Sequence, residues 1–187
     1  IAFLAMGLSC LSKPAAVVFP LVMTLFVFVK SDEKGIKKYL HTTPFYALAL
    51  FFGLLTLGAQ SEAINDSDSF TFFDRLTLGF WANARYIFRF FFPGNHATMH
   101  PIPSEIRSVF YSGWAAMLGF VAVAIWSWKT GRKIILMGLL FYIATIVLVL
   151  QFLGVGSAII SERYTYLPYV GLCLALLALI HKWLKAS

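Results

Sequence analysis

The sequence predicts an all-α protein: a polytopic bundle of transmembrane helices with one amphipathic helix lying at the membrane interface. Three observations carry that expectation. Of the 187 residues, 60% are hydrophobic and 12% charged. An ordinary soluble domain carries about 25% charge, so too few polar side chains remain here to cover a water-facing surface. The apolar residues gather in long runs whose length suits a bilayer core. The basic residues fall in short clusters between those runs, a pattern of sorting across a membrane rather than of a nucleic-acid partner.

The elements follow in order. Ile1 to Leu11 is apolar, with no basic segment or cleavage site before it. It is therefore expected to be the partial end of a spanning helix in a longer protein, not a signal peptide. Ala15 to Val29 is a second span, opened by Pro14, where a missing N–H costs nothing. Residues 44–59 form a third. The stretch 60–69 is polar. Phe70 to Phe92 is apolar but carries Asp74, Arg75, Arg85 and Arg89. Arg85 and Arg89, four apart, share a helix face. Arg75 falls near the same face three turns earlier, so this segment, with an apolar face and a basic face, is expected to lie along the outer interface or to dip in and return. Pro93 to Arg107 reads as a loop. Val109 to Trp128 and Ile134 to Leu153 are further spans, and 166–183 is the last. Cys10 and Cys173 sit inside apolar runs as small core residues, without disulfide or metal spacing.

Charge sets the expected orientation. The segments Lys30 to His41, Lys129 to Lys133 and the C-terminal tail hold nine Lys and Arg against Asp32 and Glu33, a net +7, which equals the formal charge of the whole chain. The other loops sum to zero. The positive-inside rule then places the basic loops in the cytoplasm and the long 60–107 loop outside. The alternation is consistent only if Phe70 to Phe92 does not cross the membrane once.

Ionisable groups at membrane depth are costly and mark function. The candidates on the outer side are Lys13, Arg75, Arg85, Arg89, Glu162 and Arg163, with Tyr164 and Tyr166 beside them. A cluster of Lys and Arg there suits a phosphate, since the guanidinium fork matches phosphate oxygens in pairs. The plain structural alternatives are snorkelling by Lys13, lipid anchoring by the 70–92 basic face, and pairing of Glu162 with Arg163. His96 and His100 are four apart, but a proline-flanked loop offers no third ligand, and no metal site is expected. No nucleophile triad, nucleotide loop or cofactor motif is present in the sequence.

Three motifs carry a resemblance. Leu11-Ser12-Lys13-Pro14-Ala15 with Pro20 resembles the L-S-K-P…P-L stretch of multispanning GT-C glycosyltransferases that bear tetratricopeptide repeats, a group that includes the transmembrane and tetratricopeptide-repeat O-mannosyltransferases and their bacterial relatives. Asp74-Arg75-Leu76, Tyr86, Pro93 and Pro101 resemble that family's outer segment, with His100 standing where the family has Tyr. Glu162-Arg163-Tyr164-Thr165-Tyr166-Leu167-Pro168 with Gly171 resembles its [DE]-R-Y-x-Y-L-P-x-x-G motif. The resemblance implies a GT-C-like fold, of which residues 1–187 would be the C-terminal part. It implies transfer of a sugar from a polyprenyl-phosphate donor to a protein or other acceptor on the outer or lumenal face. On that reading the catalytic base lies N-terminal to Ile1 and the repeats beyond Ser187. Lys13, Arg163 and the three arginines of 70–92 would bind the lipid phosphate, Glu162 would orient Arg163, and the two tyrosines would shape the pocket. A transporter or flippase of lipid-linked or anionic solutes would use the same cations, and a membrane anchor for a repeat protein would need none of them.

Overall fold

The computed structural model describes residues 1–30, 35–59, 70–94, 99–101, 103, 105–150, 152 and 158–186. Seven α-helices account for most of them: α1 (Ala2–Ser12), α2 (Phe19–Lys30), α3 (Thr43–Ala59), α4 (Phe72–Phe91), α5 (Ser112–Lys129), α6 (Lys133–Ile146) and α7 (Tyr166–Ala186). Two short strands, β1 (Met99–Pro101) and β2 (Ala158–Ser161), pair antiparallel. His96, the acidic residues of 60–69 and the expected span end at Leu153 lie outside the described residues. The chain divides into two compact units, Ile1–Ser61 and Glu62–Ser187.

In the first unit, Pro14 opens a 3-10 turn over Pro14–Val18 that leads into α2. Lys13 is extended between α1 and this turn. The helices meet through aromatic rings: Phe45 of α3 contacts Phe3 at 5.7 Å and Phe19 at 6.1 Å between centroids. The Thr24 and Tyr46 hydroxyls share a hydrogen bond of 2.8 Å. None of the α3 residues is buried. A second 3-10 turn, Ile36–Thr42, runs into α3 and extends the helical segment to 24 residues, long and apolar enough to cross a membrane. This is longer than the sequence suggests, because the turn recruits the edge of the basic loop.

The second unit is built around α4, α5, α6 and α7. The helical run Ser108–Lys129, 22 residues, also meets the length and apolarity of a membrane span. The remaining apolar helices are shorter. Helix α6 was expected to run to Leu153 but ends at Ile146, passing into a 3-10 turn over Val147–Val149. Near that end the Thr145 hydroxyl donates to the Phe141 and Tyr142 carbonyls, the back-bonding that bends helices. Against α6 lies α7, the most extensive helix contact in the unit. Gly138 faces Gly171 there, and a Cβ built on Gly171 would stand 2.5 Å from the Gly138 carbonyl oxygen. Gly138 and Tyr142 lie on one face of α6, Gly171 and Ala175 on one face of α7. This is the small-residue approach by which apolar helices pack when water supplies no drive to associate.

Large apolar side chains cover the outside. Leu118 is 70% exposed and Leu54 61%, with many neighbours like them. A surface of this kind suits lipid, since monomers in water rarely show extended apolar patches.

Helix α4 departs from expectation in a way that positions the site. Its ends, Phe72 and Phe91, match the sequence reading closely, and a capping box ties Thr71 to Asp74. The basic face does not lie wholly outward: Arg75 and Arg85 are partly buried and Arg89 is buried. The buried residues are Thr77, Leu78, Gly79, Ala82, Asn83, Tyr86 and Arg89, while Phe72, Phe73, Phe88 and Phe91 are exposed. The polar stripe points into the bundle and these four Phe rings point out. The expectation of an outward basic face is corrected here for Arg89, which is only 6% exposed.

Candidate functional site at the α4 and strand-pair junction

Three buried polar side chains climb the inner face of α4 at intervals of three residues: Asn83, Tyr86 and Arg89. Each has a partner from a distant part of the sequence. Tyr142 of α6 donates its hydroxyl to Asn83 Oδ1 at 2.9 Å. The Tyr86 hydroxyl accepts from the Ser161 N–H at 2.9 Å and donates to the Ser161 carbonyl at 3.4 Å. Tyr169 of α7 donates to the Tyr86 carbonyl at 2.9 Å, and its ring meets Phe90 at 5.2 Å. The Trp114 indole of α5 donates to the Thr77 hydroxyl at 3.1 Å. In a water-poor interior each such group needs its partner, because an unpaired one carries its full desolvation cost.

Arg89 is the top of this ladder. Its Nη1 pairs with the Glu162 carboxylate, and its Nη2 donates to His100 Nε2 at 2.7 Å. The strand pair makes this convergence. β1 carries His100 opposite Ile160 of β2, and the chain leaves β2 at Ser161 directly into Glu162. Thus Tyr86 grips the end of β2, and Arg89, about one turn later on α4, meets the next residue and the neighbouring strand together. Since Arg89 is a donor only, His100 Nε2 accepts, which requires the neutral ring with its proton on Nδ1. Burial, followed by the nearby Arg89 and Arg85 charges, holds the His100 pKa below its ordinary 6.5, in agreement with a neutral ring.

The sequence candidates are distributed unevenly. Arg85 is half-buried one turn before Arg89, against the Trp81 ring at 5.8 Å. Its Nε is buried without a hydrogen-bond partner among the described residues. Arg75 reaches back to the Phe70 carbonyl at 3.5 Å, near the start of α4 and away from this junction. Glu162 faces Arg89, whereas Arg163 is exposed with its guanidinium against Tyr164, 5.2 Å from the ring and 3.3 Å from the hydroxyl. Tyr166 is 77% exposed. Lys13 belongs to the first unit and is exposed there. Among the described residues no three His, Cys, Asp or Glu side chains come together as a metal set.

Sequence reasoning missed His100 as a partner, the strand pair and the tyrosine ladder. The spacing of Asn83, Tyr86 and Arg89 held a usable signal, since polar residues three apart within an apolar run mark an inward face. No protein family, curated protein or solved structure matches this chain.

Proposed function

We propose that this chain is a multi-pass part of a GT-C-type membrane glycosyltransferase, which moves a sugar from a polyprenyl-phosphate donor to a protein or other acceptor on the outer or lumenal face. One observation supports the reading above the others: two arginines one turn apart at the end of α4, of which only Arg89 has an ion pair among the described residues. Arg89 is ordered by Glu162 and His100. Arg85 keeps a buried Nε donor with no acceptor among the described residues. In sugar transfer the bond from the anomeric carbon to the phosphate oxygen breaks, and the phosphate gains negative charge as it leaves. The acceptor oxygen forms the new bond and gives its proton to a base. A fixed guanidinium beside the departing phosphate stabilises that developing charge. On this reading Arg85 binds the phosphate, Arg89 holds the local geometry, and Arg163, solvent-facing on the next segment, is a second phosphate contact.

The test is sugar transfer by the full-length protein in proteoliposomes supplied with radiolabelled polyprenyl-phosphate hexoses. Arg85→Ala should lower transfer by about tenfold or more without lowering the unfolding temperature, whereas Arg89→Ala should lower both. Retention of polyprenyl phosphate without any transfer would replace the reading by lipid transport. Failure to retain polyprenyl phosphate at all would overturn it.

A further inference from the structure

At the opposite end of α6 from the α4 junction, the turn between α5 and α6 gathers positive charge that no acidic side chain among the described residues balances. Lys129 closes α5, Arg132 caps α6 and Lys133 is its first residue. Between Glu105 and Glu162 the sequence contains no Asp or Glu, and none of these three cations makes an ion pair among the described residues. Their position adds to the imbalance. A helix N-terminus carries a partial positive charge and favours anions, yet the first turn of α6 has no acidic residue and no side-chain cap.

Arg132 is held in place despite this. Its guanidinium carbon lies 3.8 Å from the Trp126 ring centroid, and its backbone N–H donates to the Ser127 carbonyl at 2.9 Å. Gly131, at φ 65°, makes the reversal that brings the two together. The Trp126 contact holds the Arg132 guanidinium over the indole ring. Among the described residues its Nε is buried without a hydrogen-bond partner, as is the hydroxyl of Ser127, which is itself 0% exposed. Trp126 and Trp128 are both exposed, as expected of indoles at a membrane boundary.

We propose that this turn is a binding site for the phosphate headgroup of an anionic phospholipid. Arg132, fixed on Trp126, supplies the planar donors; Lys129 and Lys133 supply the surrounding charge; and the start of α6 adds the positive end of its helix dipole. The apolar flanks of α5 and α6 would lie along the acyl chains. This site is independent of the sugar-transfer reading, being built from different residues.

The experiment is native mass spectrometry of the full-length protein released from nanodiscs that contain phosphatidylglycerol and phosphatidylcholine in equal amounts. Wild-type protein should retain phosphatidylglycerol preferentially. Arg132→Gln should reduce that retention by about tenfold, Trp126→Leu should reduce it less, and Arg132→Lys should fall between wild type and Arg132→Gln. Equal retention of the two lipids by wild-type protein, a readout that needs no variant, would overturn the proposal. So would undiminished phosphatidylglycerol on Arg132→Gln. Displacement of the lipid by millimolar inorganic phosphate would overturn the lipid assignment in favour of a free-phosphate site.

Discussion

Gly138 and Gly171 each stand where a side chain on the other would have to be. A Cβ on Gly171 would come within 2.5 Å of the Gly138 carbonyl and 2.8 Å of the Tyr142 amide nitrogen, and a Cβ on Gly138 within 2.8 Å of the Ala175 nitrogen. The obstacles are backbone atoms, so the helices can yield only by moving apart. Separation would draw Tyr142 away from Asn83 and Tyr169 away from Tyr86.

Gly138→Leu and Gly171→Leu should therefore destabilise the protein by about 1–3 kcal/mol or more, the usual cost of overpacking. Gly53→Leu and Gly119→Leu should be neutral, because nothing lies within 4 Å of either Cβ position. Unfolding temperature in detergent measures both. Equal losses at all four sites would show that the α6–α7 crossing is not a tight point of the structure.

The Arg89–Glu162 pair should be strongly coupled. Arg89→Met leaves a half-buried carboxylate without this partner, and breaking a buried pair from one side costs about 3–5 kcal/mol. The double variant Arg89→Met/Glu162→Gln should recover much of that loss. A double-mutant cycle on unfolding free energy reads the coupling, and simple additivity of the two single losses would contradict it.

Acidification should loosen the junction of α4 with the strand pair. The folded state holds His100 neutral below its ordinary 6.5, so from about 6.5 downward the unfolded chain binds the extra proton first. Stability therefore rises with pH across this window and falls as pH drops toward the depressed folded pKa. Protonation would place a cation against Arg89 and Arg85, with Glu162 the compensating charge nearby. His100→Gln should remove the contribution while keeping an acceptor for Arg89. Unfolding temperature followed from pH 7.5 to 5 in both proteins checks the sign; a steeper loss in the variant would reverse it.

Sidedness can be read from cysteine labelling in intact cells, with Cys10 and Cys173 first replaced by Ala. Cysteine at Gly35 or Thr130 should resist a membrane-impermeant thiol reagent, and cysteine at Glu105 should react. Reactivity at Thr130 with protection at Glu105 would invert the proposed orientation of every span.

Much of the helical framework was legible because apolar runs and their charged boundaries dominate it. The expected 70–92 segment and the observed Phe72–Phe91 differ by two residues at one end and one at the other. Thr71 and Asp74 explain the sharp start, a local signal that three-residue spacing makes visible. The inner face of α4 was less legible. Arg85 and Arg89 at four-residue spacing suggest a shared basic side, but the buried stripe runs through Asn83, Tyr86 and Arg89, and that choice depends on which neighbours arrive. Glu162 illustrates the same limit: Arg163 is its neighbour in sequence, while the observed pairing is with Arg89, 73 residues away. The strands are three and four residues long, too short for alternation to register.

The ladder on α4 also sets an order of events in synthesis. Apart from the Arg89 contact to His100, 11 residues on, Asn83, Tyr86 and Arg89 find their partners 59 to 83 residues later in the chain, at Tyr142, Ser161, Glu162 and Tyr169. Until those residues are made, the polar stripe of α4 lacks most of the partners it has in the folded unit. The polar stripe of α4 is therefore fully partnered only when α6, β2 and α7 have been made. The last helix of the unit is thus the one that completes an early helix, and a chain halted before Tyr169 would leave α4 unseated.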